Sequence, residues 1–397
     1  MGSPGISGSK GLTHLASVSH IHGRPNANID CVREAAFDHT NHVAFAPSVR
    51  ASLAARIFRS FGTTFLLTCV IVLLCYFIVV TIVNPRRVFW GQAFPEIMPN
   101  SRALKLDLLK EYNRRGRVDL VVLGSSRSMR FSPNLLESLT GKRTFNAGVF
   151  SGAPNDYLSI YRVMKQRGIA PKTLLVGLDQ ETLDPENSPA PDFESNLALK
   201  FSLNGTVPND RAKIWHWILL YKQTLTPYYI QNIAESLWIW IHPRPPLFEF
   251  ESNGHEEEGT VDEQMQSGVY PRAEKIQSCV DSLEGKFRGL HDVSPELEGD
   301  LEQLFSEAAG DHVRVVLWIS PVHPEALEKI LHDPVAGRNF RNSEAHLMAL
   351  GARYHLPVRD LTDSRSFGGH PDSWYDCVHH SQADSDRIAK ELFQHGI

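Results

Sequence analysis

Five cysteines in 397 residues are too few and too scattered for a disulfide scaffold. Cys31 lies in the N-terminal region and Cys69 and Cys75 inside a long apolar run, so Cys279 and Cys377 are the pair left beyond that run. An oxidising compartment would let them bridge, and sequence leaves two free thiols equally open. There is no CxxC and no Cys/His group at zinc spacing, so no metal is implied. Basic excess is missing as well. A formal charge of -5 gives no positive field for nucleic acid, which is set aside as a partner. With 42% hydrophobic and 21% charged residues the chain is composed as a globular protein.

Charge is absent altogether from Phe61 to Val83, FGTTFLLTCVIVLLCYFIVVTIV. At about 1.5 Å per residue a helix of this length crosses a hydrocarbon core of roughly 30 Å, so it reads as one transmembrane helix. The preceding residues 1–60 are expected to be a disordered tail, rich in Gly, Ser, His and Asn over Met1–Arg50. A long lead-in and the lack of a small-residue cleavage site argue against a removed signal peptide. Arg50, Arg56 and Arg59 on one side match Arg86, Arg87 and Arg102 on the other, so the positive-inside count is a tie. The tail is placed inside because the C-terminal part carries the recognisable chemistry. Residues 84–117 are read as a juxtamembrane stalk.

From Val118 the rhythm changes to short apolar strands alternating with helices. Val118–Leu123, Arg143–Ala147, Thr173–Leu178, His312–Ile319 and Pro357–Leu361 are the five strands expected. Ser132 as N-cap, Pro133 and Gly141 frame the first helix between them. The fold class is therefore α/β: a doubly wound, parallel, five-stranded sheet in a flavodoxin-like three-layer sandwich over 118–397. It is interrupted by a helical insertion, 183–310, and preceded by the single span. The insertion holds IWHWILLYKQTLTPYYIQNIAESLWIWIHP, broken by Lys222, Pro227 and Glu235 and so too polar for a second span. Its plainest reading is a subdomain packing Trp215, Trp217, Trp238 and Trp240 into its own core. A surface for a sugar chain or for the bilayer interface is the other.

In such a sheet, ligands bind at the carboxyl ends of the strands. Ser125 and Ser126 of VVLGSSRSMRF stand at the end of the first strand, but a serine needs a base and a group that orients it. Asp376 and His379, in the last loop before the last helix, can supply both.

This arrangement resembles the SGNH or GDSL hydrolase superfamily. Gly124–Ser126 stands where that family has GDS, Phe145–Gly148 (FNAG) matches its second block, and Asp376 and His379 match its final DxxH. The resemblance implies Ser126 as nucleophile, His379 as general base and acid, Asp376 as orienting carboxylate, and the N–H groups of Ser126 and Gly148 as oxyanion donors. The third block departs from the family: GLDQE (Gly177–Glu181) puts Asp179 or Gln180 where an asparagine is usual, and an ionised aspartate cannot donate. Gln180 or Asn155 are the side chains left for that donor. Arg127, His323 and Asp179 are candidate substrate contacts, with bracing the commoner role for such an arginine and a structural role open for His323.

One apolar anchor, the NP-aromatic stretch after it and GSSR in place of GDSL resemble a membrane-anchored branch. Its members are related to the D-alanyl-lipoteichoic acid transfer and alginate O-acetylation proteins of bacterial envelopes. That similarity implies serine acyl-ester hydrolysis or O-acyl transfer on a cell-envelope polysaccharide or surface polymer, without a cofactor. It places the C-terminal domain on the periplasmic side of a bacterial inner membrane. The bilayer, an acylated glycan and a membrane-bound acyltransferase are the implied partners. The rival from another class is a non-catalytic envelope protein that kept the fold and binds a glycan or a partner membrane protein.

Overall fold

A computed structural model of the chain describes residues 47–89, 93–97, 100–187, 190–206, 208–244, 248–257 and 259–394. The tail expected over 1–46 lies outside the described residues. Residues 47–60, expected as tail, are helical instead. They open α1 (Pro47–Val83), whose first turns contain alanine, leucine and arginine and no glycine or internal proline. Phe58–Val83 of α1 has a mean hydropathy of 3.0 and is long and apolar enough to cross a membrane. The chain forms two compact units, Met1–Leu67 and Thr68–Ile397.

In the second unit α2 (Ser101–Arg114) precedes β1 (Leu120–Leu123), α3 (Pro133–Thr140), β2 (Thr144–Asn146), α4 (Pro154–Gln166) and β3 (Thr173–Leu178). Then come α5 (Pro191–Glu194), α6 (Leu197–Leu203), α7 (Asp210–Thr224), α8 (Pro227–Ile241), the short strands β4 (Glu249–Phe250) and β5 (Glu256–Glu257), α9 (Gly259–Gln266), α10 (Arg272–Gly289) and α11 (Pro295–Gly310). The chain returns to the sheet with β6 (Arg314–Ile319), α12 (Pro324–His332), α13 (Ala336–Arg353), β7 (Val358–Asp360) and α14 (Gln382–Gln394).

The large sheet has the order β2-β1-β3-β6-β7 and every neighbouring pair is parallel. It is the doubly wound α/β sheet read from the sequence. Strand residues divide by parity. Val121, Leu123, Leu174 and Val176 join Tyr157, Met164, Leu301 and Phe305 on one face. Leu120, Val122 and Leu175 join Phe131, Leu136, Trp318 and Ile388 on the other. With both faces covered, the strands are apolar at successive positions, as a parallel sheet requires. The first helix is framed as its sequence indicates: Ser132 Oγ accepts from Leu135 N, and Gly141 ends the helix at φ 65°, where a Cβ would be strained.

Two further boundaries and one packing expectation differ. Residues 101–114 are no stalk: α2 sends Leu106 and Leu109 into the main core and buries Arg102 and Lys105. The final helix of the expected insertion, α11, packs on α4 and covers the sheet, as the crossover between β3 and β6 must. The tryptophans of α7 and α8 form no core of their own. Trp215, Trp217, Trp238 and Trp240 remain 54%, 38%, 63% and 58% exposed. Cys279 of α10 and Cys377 are joined as a disulfide across a separation of 98 residues.

Candidate functional site

The backbone of β1 ends at Gly124, where a Cβ would stand 2.0 Å from the Ser128 hydroxyl. The chain turns there into a short 3-10 segment, Ser126–Ser128. The two serines then part. Ser125 is buried and its Oγ accepts from the N–H of Arg127 at 3.2 Å, so it caps the turn. Ser126 points its Oγ at Nε2 of His379, 2.8 Å away across 253 positions of sequence.

His379 is fixed from its other side. Nδ1 lies 2.8 Å from Asp376 Oδ2, while Asp376 Oδ1 accepts from the backbone N–H groups of Val378 and His379, each at 2.8 Å. Burial pushes the Asp376 carboxyl up, but the His379 ring and those two amides outweigh it and hold the pKa at about 2. An ionised carboxylate only accepts, so Nδ1 carries the ring proton and Nε2 presents its lone pair. Ser126 Oγ–H therefore donates to His379, which is the polarity needed for removing the serine proton.

The loop that carries this pair is anchored from outside at Cys377 and closed on itself. Cys377 is disulfide-bonded to Cys279, its carbonyl accepts from His323 N at 2.9 Å, and Tyr375 N donates to the carbonyl of His379 at 2.9 Å. The loop after Ser126 is held by a residue that the sequence reading passed over within FNAG. Asn146, wholly buried at the end of β2, donates through Nδ2 to the carbonyls of Ser128, Met129 and Phe131 at 2.9, 2.9 and 3.0 Å. Lys105, also missed, donates to the carbonyls of Asn146 (3.0 Å) and Gly254 from α2. Burial is the leading cause that pushes its pKa down to about 7. Gly152 packs so closely on the turn that a Cβ there would lie 2.5 Å from the Gly124 carbonyl.

The expected oxyanion donors are placed unequally. Gly148 N–H donates to Asn146 Oδ1 at 3.0 Å and is already engaged. Gln180 is fully buried, and its Nε2 donates to the Ser320 carbonyl and Thr362 Oγ1 at 2.7 and 2.9 Å, so its amide ties β3 to the neighbouring strand ends. Asn155, at the start of α4, is 3% exposed, and neither its Nδ2 nor its Oδ1 has a hydrogen-bond partner.

The candidate substrate contacts point inward. Arg127 is buried, donates to Ser320 Oγ at 3.0 Å and to Glu181, and has Nε 3.6 Å from Asp179 Oδ1. Asp179 in turn accepts from Ser320 Oγ at 2.8 Å. The group braces the ends of β1, β3 and β6, as buried charge must be paired. His323 caps α12, Nδ1 accepting from Glu325 N and Nε2 donating to the Pro371 carbonyl, both at 3.3 Å, while its ring meets Trp374 edge-on. Burial lowers its pKa, and its position is structural. The position after a strand end suggested a substrate contact, whereas its cap and loop contacts use both ring nitrogens.

No protein-family model matches the chain, and no curated protein sequence matches it. Solved structures do. A protein assigned as an acylhydrolase from Bacteroides fragilis aligns at 12% identity with a TM-score of 0.33, over 73% of this chain and 94% of its own. A GDSL-like lipase from Bacteroides thetaiotaomicron aligns at 9% identity and 0.33, over 75% and 97%. The acetyl xylan esterase AlAXEase aligns at 9% and 0.31, over 70% and 100%.

Proposed function

We propose that the chain is a serine acyl-ester hydrolase or O-acyltransferase, anchored in a membrane by α1 and acting on an acylated cell-envelope polysaccharide or related surface polymer from the extracytoplasmic side. The observation that carries this reading is the chain of hydrogen bonds Ser126–His379–Asp376, with 2.8 Å at each link. In the reaction Ser126 Oγ attacks the acyl carbonyl and passes its proton to His379 Nε2. His379 returns that proton to the departing alcohol oxygen as the ester bond breaks, leaving the acyl group on Ser126. Water or a sugar hydroxyl then attacks the acyl carbon and gives its proton to His379, which passes it to Ser126 Oγ as the acyl–serine bond breaks. A membrane-bound acyltransferase is the partner that would deliver acyl groups in the transfer direction.

For the negative oxygen of the tetrahedral intermediate we assign the N–H of Ser126 and the side-chain amide of Asn155. Gly148 N–H and Gln180, the other candidates, already have acceptors. Arg127 and Asp179 are assigned to bracing. The test is turnover of a short-chain aryl acetate by the full chain. Wild type releasing the phenol and Ser126→Ala failing to do so supports the reading. Equal rates at the uncatalysed level refute it.

One observation favours the non-catalytic alternative, in which the cleft binds a glycan or a partner membrane protein. The engaged Gly148 N–H leaves the site short of a backbone donor, and losing one donor typically costs about 2.7 to 4 kcal/mol in the barrier. That reading expects the same aryl acetate assay to be silent in wild type.

A further inference from the structure

The α7–α8 hairpin exposes an apolar surface that nothing among the described residues covers. Ile214, Ile218, Leu225, Tyr228, Ile230 and Trp238 all stand at the surface. In α7 only Leu220 and Thr224 are buried, although the helix centre reads IWHWILLY. A soluble helix hides its apolar stripe and shows a polar one, and exposed apolar area of this kind marks an interaction surface.

What covers it follows from the element beside it. Three contacts run in order along the end of α1. Trp217 stacks near Phe89, 6.2 Å between ring centroids and just past the helix. Tyr221 shares a hydrogen bond of 2.8 Å with Thr81 and lies edge-on to Phe77 at 4.9 Å. The carbonyl of Thr224 accepts from the hydroxyl of Tyr76. Tyr221 also meets Phe89, at 4.8 Å, and from Trp217 to Thr224 the partners pass from Phe89 to Phe89, Thr81 and Phe77 and then to Tyr76, so α7 lies antiparallel beside the end of α1. Thr224, Thr226 and Tyr228 share a cavity with Arg86, Asp192 and Glu194, and the Tyr228 ring lies 5.9 Å from the Arg86 guanidinium, so the turn at Leu225–Pro227 sits at the polar edge of the apolar segment and α8 runs back from it.

Its hydrogen bonding suits contact with the bilayer interface. Tyr76 satisfies the Thr224 carbonyl, Leu225 N donates to the Lys222 carbonyl, and Thr226 Oγ1 accepts from Tyr229 N at 3.2 Å. Backbone polar groups met internally are what hydrocarbon demands, and Lys222 is long enough to carry its charge back to the interface. Between Phe77 and α7 runs a mostly apolar groove of about 550 Å³, lined also by Ile214, Trp217, Ile218, Tyr221, Lys222 and Leu225.

We propose that the α7–α8 hairpin is inserted in the outer leaflet of the bilayer beside α1, as a second, non-spanning membrane contact. The inference rests on α1 being a transmembrane span. Two contacts fix the orientation of a domain where one helix would let it swing, so the hairpin sets how Ser126 faces the membrane surface.

The test uses the full chain alone in phosphatidylcholine vesicles, with bromine placed at shallow positions on the lipid chains. No tryptophan lies within Phe61–Val83, so quenching of tryptophan emission reports residues outside the span. Wild type is expected to lose a large part of its emission. A Trp215→Phe/Trp238→Phe/Trp240→Phe variant, which keeps apolar rings and so the fold, is expected to lose much less. If brominated lipid affects wild type and variant equally little, the hairpin faces water or a partner protein and the proposal is overturned. Alkaline extraction separates the two readings. Protein stripped from the vesicles contradicts the span and the hairpin together, whereas protein retained without quenching contradicts the hairpin alone.

Discussion

Asn146 Nδ2 reaches the carbonyls of Ser128, Met129 and Phe131, and so one side chain at the end of β2 closes the loop that presents Ser126 at the end of β1. The Ser128 and Met129 carbonyls also accept from Phe131 N and Glu256 N, so Asn146→Ala is expected to leave the Phe131 carbonyl unsatisfied and to cost about 1 to 3 kcal/mol. Asn146→Asp is expected to fare no better, because a carboxylate cannot donate to it. Denaturant unfolding of both variants gives the stability. Reactivity of Ser126 in the fraction still folded shows whether the loop keeps its shape.

Asp376 has the role of holding one tautomer of His379. Asp376→Asn keeps the size and loses that control, and the expected fall in kcat is about 10⁴-fold with little change in KM. Steady-state rates on an aryl ester measure it. A fall of less than about tenfold would remove Asp376 from the proton path.

The same carboxyl has a pH signature. Its folded pKa of about 2 is below the ordinary value of 3.8, so its contribution is fully present above pH 3.8 and is lost as the pH falls through 2. The shift corresponds to about 2 kcal/mol. Wild type is expected to lose about that much stability between pH 4 and 2 that Asp376→Asn does not lose, measured by urea unfolding over that range. Parallel curves for the two proteins would contradict the assignment.

The Cys279–Cys377 disulfide ties α10 to the residue between Asp376 and Val378. Reduction, or Cys279→Ser, is expected to cost about 2 to 4 kcal/mol and, on the proposed mechanism, to depress turnover beyond what lost stability explains, because the loop that carries His379 loses an anchor. Unfolding curves and rates with and without reductant provide the check.

The sheet was legible in sequence because its signals are local. Thr173–Leu178 is a continuous apolar run that can only be buried on both faces, and Ser132, Pro133 and Gly141 bracket α3 with cap chemistry. Ser126, His379 and Asp376 were legible through order and placement at strand ends. What stayed hidden depends on distant partners. Nothing near Asn146 announces that its amide will meet three carbonyls some 15 to 18 positions earlier. Gln180 looked like a donor for substrate until Ser320 and Thr362 were seen to occupy it. The α7–α8 segment has the apolar content of a core, and its contacts with Tyr76, Phe77 and Thr81 join residues some 140 or more positions apart, which no local pattern announces.

The most direct test of the central claim is labelling of the full chain by a fluorophosphonate, with the modified residue located by mass spectrometry of the peptide containing Gly124–Ser128. The account expects stoichiometric modification of Ser126 in wild type, none in Ser126→Ala, and slow modification in His379→Ala. Equal background labelling of wild type and Ser126→Ala, or modification at Ser125 instead, would contradict it.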